Sequence, residues 1–213
     1  METQAQMRAR MKKVIRRLHC EYPDSQCSLS YKTPHELLVA TILSAQCTDE
    51  RVNQVTPGLF KKYPSVKEFA FGDLVALSKD IHSCGYHNQK AKAIQGSSIT
   101  IWEEYGREVP DSMEELIKLP GVGRKTANCI LGTAFGIPSV AVDTHMVRIL
   151  GLLGVTQSNN PTTIELEMMD IVPESEWIDL THLVIDHGRM VCIARRPRCI
   201  QCVLSDLCPS SLN

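Results

Sequence analysis

The sequence predicts an all-α fold, and three observations support this prediction. Thr33 and Ser112 each stand three residues before a glutamate, which is the pattern of a helix capping box. Alternating apolar and polar runs separated by hairpin turns, the pattern of strands, are hard to find in the 213 residues. Proline and glycine instead punctuate short connections between helical segments.

The first strong helix signal follows Thr33, with Pro34 at the first helical position. The run LLVATILSAQ then occupies residues 37–46. Because this run is apolar almost all round, we predict a central, buried helix.

A sharp turn, LPGVG at residues 119–123, separates the helix that starts at Ser112 from another helix. Its two glycines allow a tight bend and leave backbone N–H groups unobstructed, at Gly121 and Gly123. Amides at a helix N-terminus can bind a phosphate oxygen. Because Arg124 and Lys125 follow at once, phosphate binding is favoured over an ordinary connection between helices.

Lys125 is a candidate nucleophile in the first turn of the second hairpin helix. The positive end of the helix dipole and the neighbouring Arg124 both disfavour its ammonium form. A neutral amine is what imine-forming catalysis needs. The alternative is an exposed lysine that serves solubility.

Another helix is predicted to begin after Asp143 or Thr144 and to end at Gly151 or Gly154. An aspartate before a helix is usually an N-cap. A capping carboxylate is held rigidly and stays ionised, so Asp143 could also stabilise a cationic sugar or assist a nucleophile.

Nine cysteines are present, and four of them crowd the C-terminal part of the chain, at Cys192, Cys199, Cys202 and Cys208. An odd number of cysteines without an export signal argues against a disulfide framework, so the four indicate a metal site. Their spacing leaves zinc and an iron-sulfur cluster both open. The scattered five are interpreted as buried apolar side chains or incidental thiols, at Cys20, Cys27, Cys47, Cys84 and Cys129.

Composition predicts a cytoplasmic protein of one or two globular domains, with no membrane partner. Apolar runs are shorter than the roughly 18 residues of a membrane-spanning helix, and no secretory signal opens the chain. The net charge is −1, but charges are segregated. Residues 8–17 and 187–205 are basic without an acid, whereas residues 151–186 carry seven acids and no Lys or Arg. These runs indicate either a basic face for a polyanion or separate solvated helix faces.

Together, the motifs LPGVGRKTA, VDTH, HGR and C-x6-C-x2-C-x5-C resemble the endonuclease III family of the helix-hairpin-helix DNA glycosylase superfamily. The resemblance runs from Ser30 to Cys208. It implies two helical domains with a DNA-binding cleft between them. A six-helix domain would cover 27–137, with the helix-hairpin-helix at about 112–135. A cluster domain would combine 1–26 with 138–213.

The same resemblance implies the chemistry. A [4Fe-4S] cluster would be held by the four C-terminal cysteines in the loop 192–208. Lys125 would be the Schiff-base nucleophile on the deoxyribose C1′, and Asp143 its essential carboxylate. The substrate would be double-stranded DNA containing an oxidised pyrimidine or an abasic site, nicked 3′ to the lesion by β-elimination. We expect the enzyme to act as a monomer.

Two further positions match family residues that enter the DNA. Gln46 resembles the residue that fills the gap left by an extruded nucleotide, and an amide can pair with several base edges. Tyr86 aligns with the residue that wedges between bases, where well-known family members have leucine. Tyrosine can still unstack a base step, although the preference for the opposite base is left open. The alternative for Tyr86 is a turn residue half packed on the surface.

Three arginines, Arg195, Arg196 and Arg198, lie within the first loop of the cysteine pattern. If the metal site holds that loop rigid, they would contact the phosphates of one strand. The hairpin and the N-terminal helix would add to the same basic surface, and the acidic stretch 165–186 would face solvent away from DNA.

Two alternative functions remain open at this point. One is a mismatch glycosylase on the same scaffold, acting on thymine or adenine. Adenine-mismatch enzymes lack a lysine at the Lys125 position and carry a long C-terminal recognition domain, whereas this sequence has the lysine and ends five residues after Cys208. The other is a non-enzymatic, metal-stabilised DNA-binding module.

Overall fold

A computed structural model describes residues 2–211, and within this range every regular element is helical, as predicted. The helices are α1 (Gln4–Glu21), α2 (Pro34–Ser44), α3 (Asp49–Lys62), α4 (Val66–Phe71), α5 (Leu74–Asp80), α6 (His87–Glu104), α7 (Met113–Leu116), α8 (Arg124–Phe135), α9 (Thr144–Leu152), α10 (Pro161–Ile171) and α11 (Trp177–Met190). No helix in the described range is both long and apolar enough to cross a membrane.

The helices form two compact units. One is the continuous segment Ser28–Gly136, which contains α2 to α8. The other combines the segments before and after it and contains α1 and α9 to α11. The assignment of these units as a six-helix domain over 27–137 and a cluster domain over 1–26 and 138–213 stays a prediction.

In the continuous unit, α2 is the central helix, as its sequence predicts. Every residue from Leu37 to Leu43 is buried. The Thr33 hydroxyl caps α2 by accepting a hydrogen bond from the Glu36 amide at 3.2 Å. The expected capping box is incomplete, because the Glu36 carboxylate accepts from the Lys32 amide at 2.6 Å instead of from Thr33.

The longest helix of this unit, α6, supports the hairpin turn. A Cβ atom added to Gly121 would lie 2.6 Å from the Cβ of Ala93 on α6. One turn further along, a Cβ added to Gly96 would lie 3.1 Å from the Pro120 ring. The hairpin therefore packs on α6 at a distance that only glycine allows.

The discontinuous unit has its own apolar core, in which α1 packs with α10 and α11. Met11, Val14 and Leu18 of α1 are fully buried in it, together with Leu150 and Leu180. The helix α9 begins at Thr144 and is capped by Asp143, as predicted. It ends at Leu152, followed by Gly154 with a left-handed φ of 64°.

Side chains of α1 hold the C-terminal segment. Arg10 donates to the backbone carbonyls of Leu153 and Leu207 at 2.8 and 3.2 Å. Arg17 donates to the carbonyl of Val203 at 2.8 Å and pairs with Asp206. The first helix and the final loop are thus parts of one structure.

Several charged residues of the basic and acidic segments form ion pairs within this unit. Arg8 binds Asp170 at 3.1 Å, and His19 lies 3.2 Å from Glu176. Three residues of the basic N-terminal run, Arg8, Arg10 and Arg17, therefore bind acidic partners within their own unit. The expected contribution of α1 to a basic surface stays a prediction for its exposed Lys12, Lys13 and Arg16.

Candidate nucleic-acid interface and metal centre

The glycine turn before α8 forms an exposed hairpin. Gly121 has a φ of 78°, in the left-handed region that glycine favours. Gly123 is the N-cap of α8, and a Cβ added there would meet nothing within 4 Å. The start of α8 therefore faces open space, as anion binding by a helix N-terminus requires.

Arg124 and Lys125 are the first two residues of α8, and both are exposed. The opposite side of α8 is buried through Ala127, Ile130 and Leu131. This packing fixes the helix and directs its first turn, with the Lys125 amine, to solvent.

Gln46 and Tyr86 are exposed residues in left-handed backbone conformation. Gln46 has a φ of 53° in the turn after α2, and Tyr86 has a φ of 47° as the N-cap of α6. Tyr86 is 60% exposed. Left-handed backbone at residues with a side chain is uncommon, costs free energy and concentrates at functional sites.

One residue that the sequence reasoning missed lies behind these two turns. Lys90 of α6 is buried, and its ammonium group donates to the carbonyls of Leu43 and Cys84 at 2.7 and 2.8 Å. The only sequence signal was a lysine four residues after Tyr86 in a segment that also contains Ala91 and Ile94.

Asp143 makes two directed hydrogen bonds in the other unit. Its Oδ1 accepts from the Met146 amide at 2.8 Å, and its Oδ2 lies 2.8 Å from His145 Nδ1. The side chains of Asp143 and His145 are 18% and 26% exposed. Gly188 packs closely against the His145 ring, because a Cβ added to Gly188 would lie 2.5 Å from this ring. Lys125 and Asp143 thus belong to different units.

The four C-terminal cysteines line one cavity of about 220 Å³, together with apolar side chains such as Leu152 and Leu204. Burial raises the pKa of the Cys192 and Cys202 thiols, and the neighbouring cysteines raise both further. Four thiols enclosed in this way suit a cation that converts them to thiolates.

The spacing of the thiols separates the two kinds of metal site. A single zinc ion, with Zn–S bonds of about 2.3 Å, places its sulfur ligands roughly 3.8 Å apart. Within residues 2–211, the ligand atoms of His19, Glu176 and Asp179 all lie within 4.8 Å of one another. No three of the cysteine sulfurs in this range lie that close together. The cavity therefore fits a larger group such as an iron-sulfur cluster better than one zinc ion.

Three hydrogen bonds orient the surroundings of this cavity. His187 Nε2 lies 3.5 Å from the Cys202 sulfur, and its Nδ1 lies 3.0 Å from the Tyr22 hydroxyl. The Leu204 amide donates to the same sulfur at 3.4 Å.

The basic loop between the first two cysteines is exposed at Arg195, Arg196 and Arg198. Arg195 has a φ of 78°. In the part of the chain that the structure describes, none of the three pairs with a carboxylate. Their guanidinium groups are thus available to an anionic partner, unlike those of Arg8, Arg10 and Arg17.

The sequence matches two family models. Residues 39–174 match the HhH-GPD superfamily base excision DNA repair protein, and residues 192–208 match the iron-sulfur binding domain of endonuclease III. Endonuclease III of Synechocystis sp. is 52% identical over 191 residues, which are 89% of this chain and 87% of that protein. The chain belongs to the endonuclease III family. Endonuclease III of Bacillus subtilis is 45% identical over 188 residues, which are 88% of this chain and 86% of that protein.

Solved structures of the family agree in fold. A non-covalent endonuclease III–DNA complex superposes with a TM-score of 0.92 at 40% identity, covering 99% of this chain and 97% of that chain. A trapped covalent endonuclease III–DNA intermediate gives the same TM-score and identity, covering 99% and 98%. As a member of this family, the chain is a DNA glycosylase and abasic-site lyase of base excision repair, and its cofactor is a [4Fe-4S] cluster.

Proposed function

We propose that this member of the family removes oxidised pyrimidines of the thymine glycol type from double-stranded DNA and cleaves the resulting abasic site through a Schiff base on Lys125. The observation that carries the proposal is the position of Lys125. It is exposed in the first turn of α8, two residues after the glycine that caps this helix. An endonuclease III of 40% identity has been captured as a covalent intermediate with DNA, which supports a nucleophile of this kind.

The hairpin would bind the DNA backbone beside the lesion. A Cβ added to the N-cap glycine would meet nothing within 4 Å, so a phosphate can approach the start of α8, and Arg124 adds a positive charge there. A phosphate bound in this position would bring the sugar of the damaged nucleotide close to the Lys125 amine.

Gln46 and Tyr86 would take the space that the extruded nucleotide leaves. Both are exposed on strained turns, and the Tyr86 ring can stack on a base step that has opened. The Gln46 amide can donate to and accept from the base edges that have lost their partner.

In the reaction, the Lys125 amine forms a bond to C1′ of the sugar and loses a proton. The bond from C1′ to the base breaks with its electron pair leaving on the base, which takes up a proton. The ionised Asp143 carboxylate, held by the Met146 amide, stabilises the positive charge that develops on the sugar. Opening of the sugar ring gives an imine. Loss of a C2′ proton then expels the 3′ phosphate by β-elimination and nicks the strand.

The four cysteines Cys192, Cys199, Cys202 and Cys208 would hold the cluster, which supplies a structural centre for the loop between them. With the loop held in this way, its side chains would contact phosphates of one strand through Arg195, Arg196 and Arg198. We further propose that the enzyme is a cytoplasmic monomer. An assay over a panel of damaged and mismatched bases would establish its preferred substrate.

Borohydride reduction tests the central step, because it converts an imine into a stable covalent bond. The wild-type enzyme should be trapped on duplex DNA that contains thymine glycol or an abasic site, and Lys125→Gln should abolish trapping. Lys118→Gln, which removes another exposed lysine of the hairpin region, is the matched control and should trap normally. Equal trapping of the Lys125 variant would exclude Lys125 as the nucleophile.

A further inference from the structure

Lys90 is a buried cation whose two hydrogen-bond partners are backbone carbonyls. The residue is 5% exposed, and its ammonium group donates to Leu43 at 2.7 Å and to Cys84 at 2.8 Å. Burial lowers the pKa of Lys90, whereas the nearby thiols of Cys47 and Cys84 act in the opposite direction. A buried charge is costly unless its hydrogen bonds are good, so these contacts indicate a specific role.

The two carbonyls belong to the two turns that carry the proposed insertion residues. Leu43 is the penultimate residue of α2, and Gln46 follows three residues later. Cys84 ends the short 3-10 turn His82–Cys84, and Tyr86 follows two residues later. Carbonyls at the end of a helix lack partners within it, so one ammonium group caps both ends at once.

Lys90 is also tied directly to the second turn. Its own amide donates to the Tyr86 carbonyl at 3.0 Å, since it lies in the first turn of α6. Both accepting oxygens are within 2.8 Å of a single nitrogen atom, so the ends of the two turns cannot separate without losing a charge-assisted hydrogen bond.

We propose that Lys90 is a positioning residue that holds the Gln46 turn and the Tyr86 turn at a fixed separation, so that both side chains enter the DNA together. This inference rests on the proposed roles of Gln46 and Tyr86. It assigns to Lys90 no contact with DNA and no part in the chemical step.

The first experiment needs no DNA. Lys90→Met keeps the length of the side chain but removes its donors. Amide hydrogen exchange of the holoenzyme should become faster in segments 44–48 and 84–88 of this variant. Ile101→Val, a mild change at a fully buried position of the same helix, is the control and should leave both segments unchanged. Exchange that stays unchanged in Lys90→Met, or that rises equally in the control, would overturn the proposal.

The second experiment measures extrusion without catalysis. The probe is a duplex with a tetrahydrofuran abasic analogue beside 2-aminopurine, whose fluorescence rises when its stacking is lost. Wild type and Ile101→Val should both give this rise at saturation, and Lys90→Met should lose at least half of it. Affinity for undamaged duplex should change less than twofold, and single-turnover excision of thymine glycol should slow at least about tenfold. A Lys90→Met enzyme with the full fluorescence rise would refute the positioning role.

The two experiments separate this inference from the proposed function. If wild type shows no fluorescence rise, the roles of Gln46 and Tyr86 are wrong, while the exchange data still decide whether Lys90 holds the turns. If wild type behaves as expected and only Lys90→Met fails, both the function and the positioning role are supported.

Discussion

Single residues with unusual backbone conformations mark the proposed contacts with DNA. Among described residues other than glycine, four have a positive φ, and three of them are the predicted contact residues Gln46, Tyr86 and Arg195. Such a conformation costs of order 1–3 kcal/mol and persists only where the surroundings enforce it. The fourth, Arg107, has a local explanation, because its amide donates to the Ile101 carbonyl at 3.0 Å in the turn that ends α6.

Tyr86→Gly should separate stability from activity. Glycine adopts a φ of 47° without strain, but this gain is offset because glycine loses more backbone entropy on folding. The exposed ring contributes little packing, so the free energy of unfolding should change by less than about 1 kcal/mol. Excision of thymine glycol should fall at least about tenfold, since no ring remains to occupy the opened stack. Arg107→Gly relieves a similar conformation elsewhere, and its excision rate should match that of wild type. A Tyr86→Gly enzyme with normal excision would contradict the wedge role.

His35 provides a pH-dependent contribution to stability. It is buried on α2, its Nε2 lies 2.9 Å from the Ser98 hydroxyl, and burial lowers its pKa to about 4. The unfolded chain binds a proton near pH 6.5, so between pH 6.5 and 4 it holds more protons than the folded chain. The free energy of unfolding should therefore fall with falling pH, by up to about 1.4 kcal/mol per unit from this group.

Denaturant unfolding across that pH range measures this contribution. His35→Gln keeps a hydrogen-bond donor for Ser98 but cannot titrate, so its stability should depend less steeply on pH than that of wild type. Ile101→Val, which removes no titratable group, should retain the wild-type slope. Parallel curves for wild type and His35→Gln would show that His35 does not supply the effect.

At the level of elements, α6 supports the hairpin turn and the Tyr86 turn. Its Lys90 also donates a hydrogen bond to the end of α2. The two glycines of the hairpin, Gly121 and Gly123, have different roles, one in packing and one in binding. Gly121 faces Ala93 of α6 and is fixed by packing, whereas Gly123 faces open space and is free to meet a ligand.

Replacing these two glycines with alanine should affect different properties, stability for Gly121 and DNA binding for Gly123. Gly121→Ala places a Cβ 2.6 Å from Ala93 at a φ of 78°, and should lower the free energy of unfolding by about 2–4 kcal/mol. Gly123→Ala should change stability by no more than about 1 kcal/mol, because alanine is only a poorer N-cap. Its methyl group should nevertheless weaken DNA binding by obstructing the approach of a phosphate. Unfolding curves and binding isotherms check both, and unchanged affinity of Gly123→Ala would place the phosphate elsewhere.

Local patterns predicted the elements well and the side-chain partners less well. Asp143 caps α9, and the apolar run after Thr33 is buried, because caps and helical periodicity are local properties. The incomplete capping box at Thr33 arises from the Lys32 amide, which the pattern does not include. The burial of Lys90 could not be predicted, since its partners lie 47 and 6 residues away along the chain.

At the level of the whole molecule, a net charge of −1 conceals two classes of arginine. Arg8, Arg10 and Arg17 of α1 bind carboxylates and carbonyls of their own unit, whereas the arginines of the loop 195–198 pair with no carboxylate in the described chain. The sequence showed the basic runs but could not distinguish them, because pairing depends on tertiary structure.

The salt dependence of DNA binding should reveal this difference. Neutralising Arg195, Arg196 and Arg198 together should weaken binding and lower the slope of log affinity against log salt by up to about one per lost phosphate contact. Arg8→Gln removes a charge that is already paired with Asp170, so its slope should equal that of wild type. An unchanged slope for the triple variant would mean that the loop does not contact DNA.

The bonds from Arg10 and Arg17 to the final loop also set an order of events during synthesis. The ribosome synthesises α1 well before Leu153, Val203 and Leu207, whose carbonyls α1 binds. The continuous unit between them can form while translation proceeds. The helix α1 is therefore synthesised before the residues that hold it, and the iron-sulfur centre can assemble only after Cys208 has been synthesised.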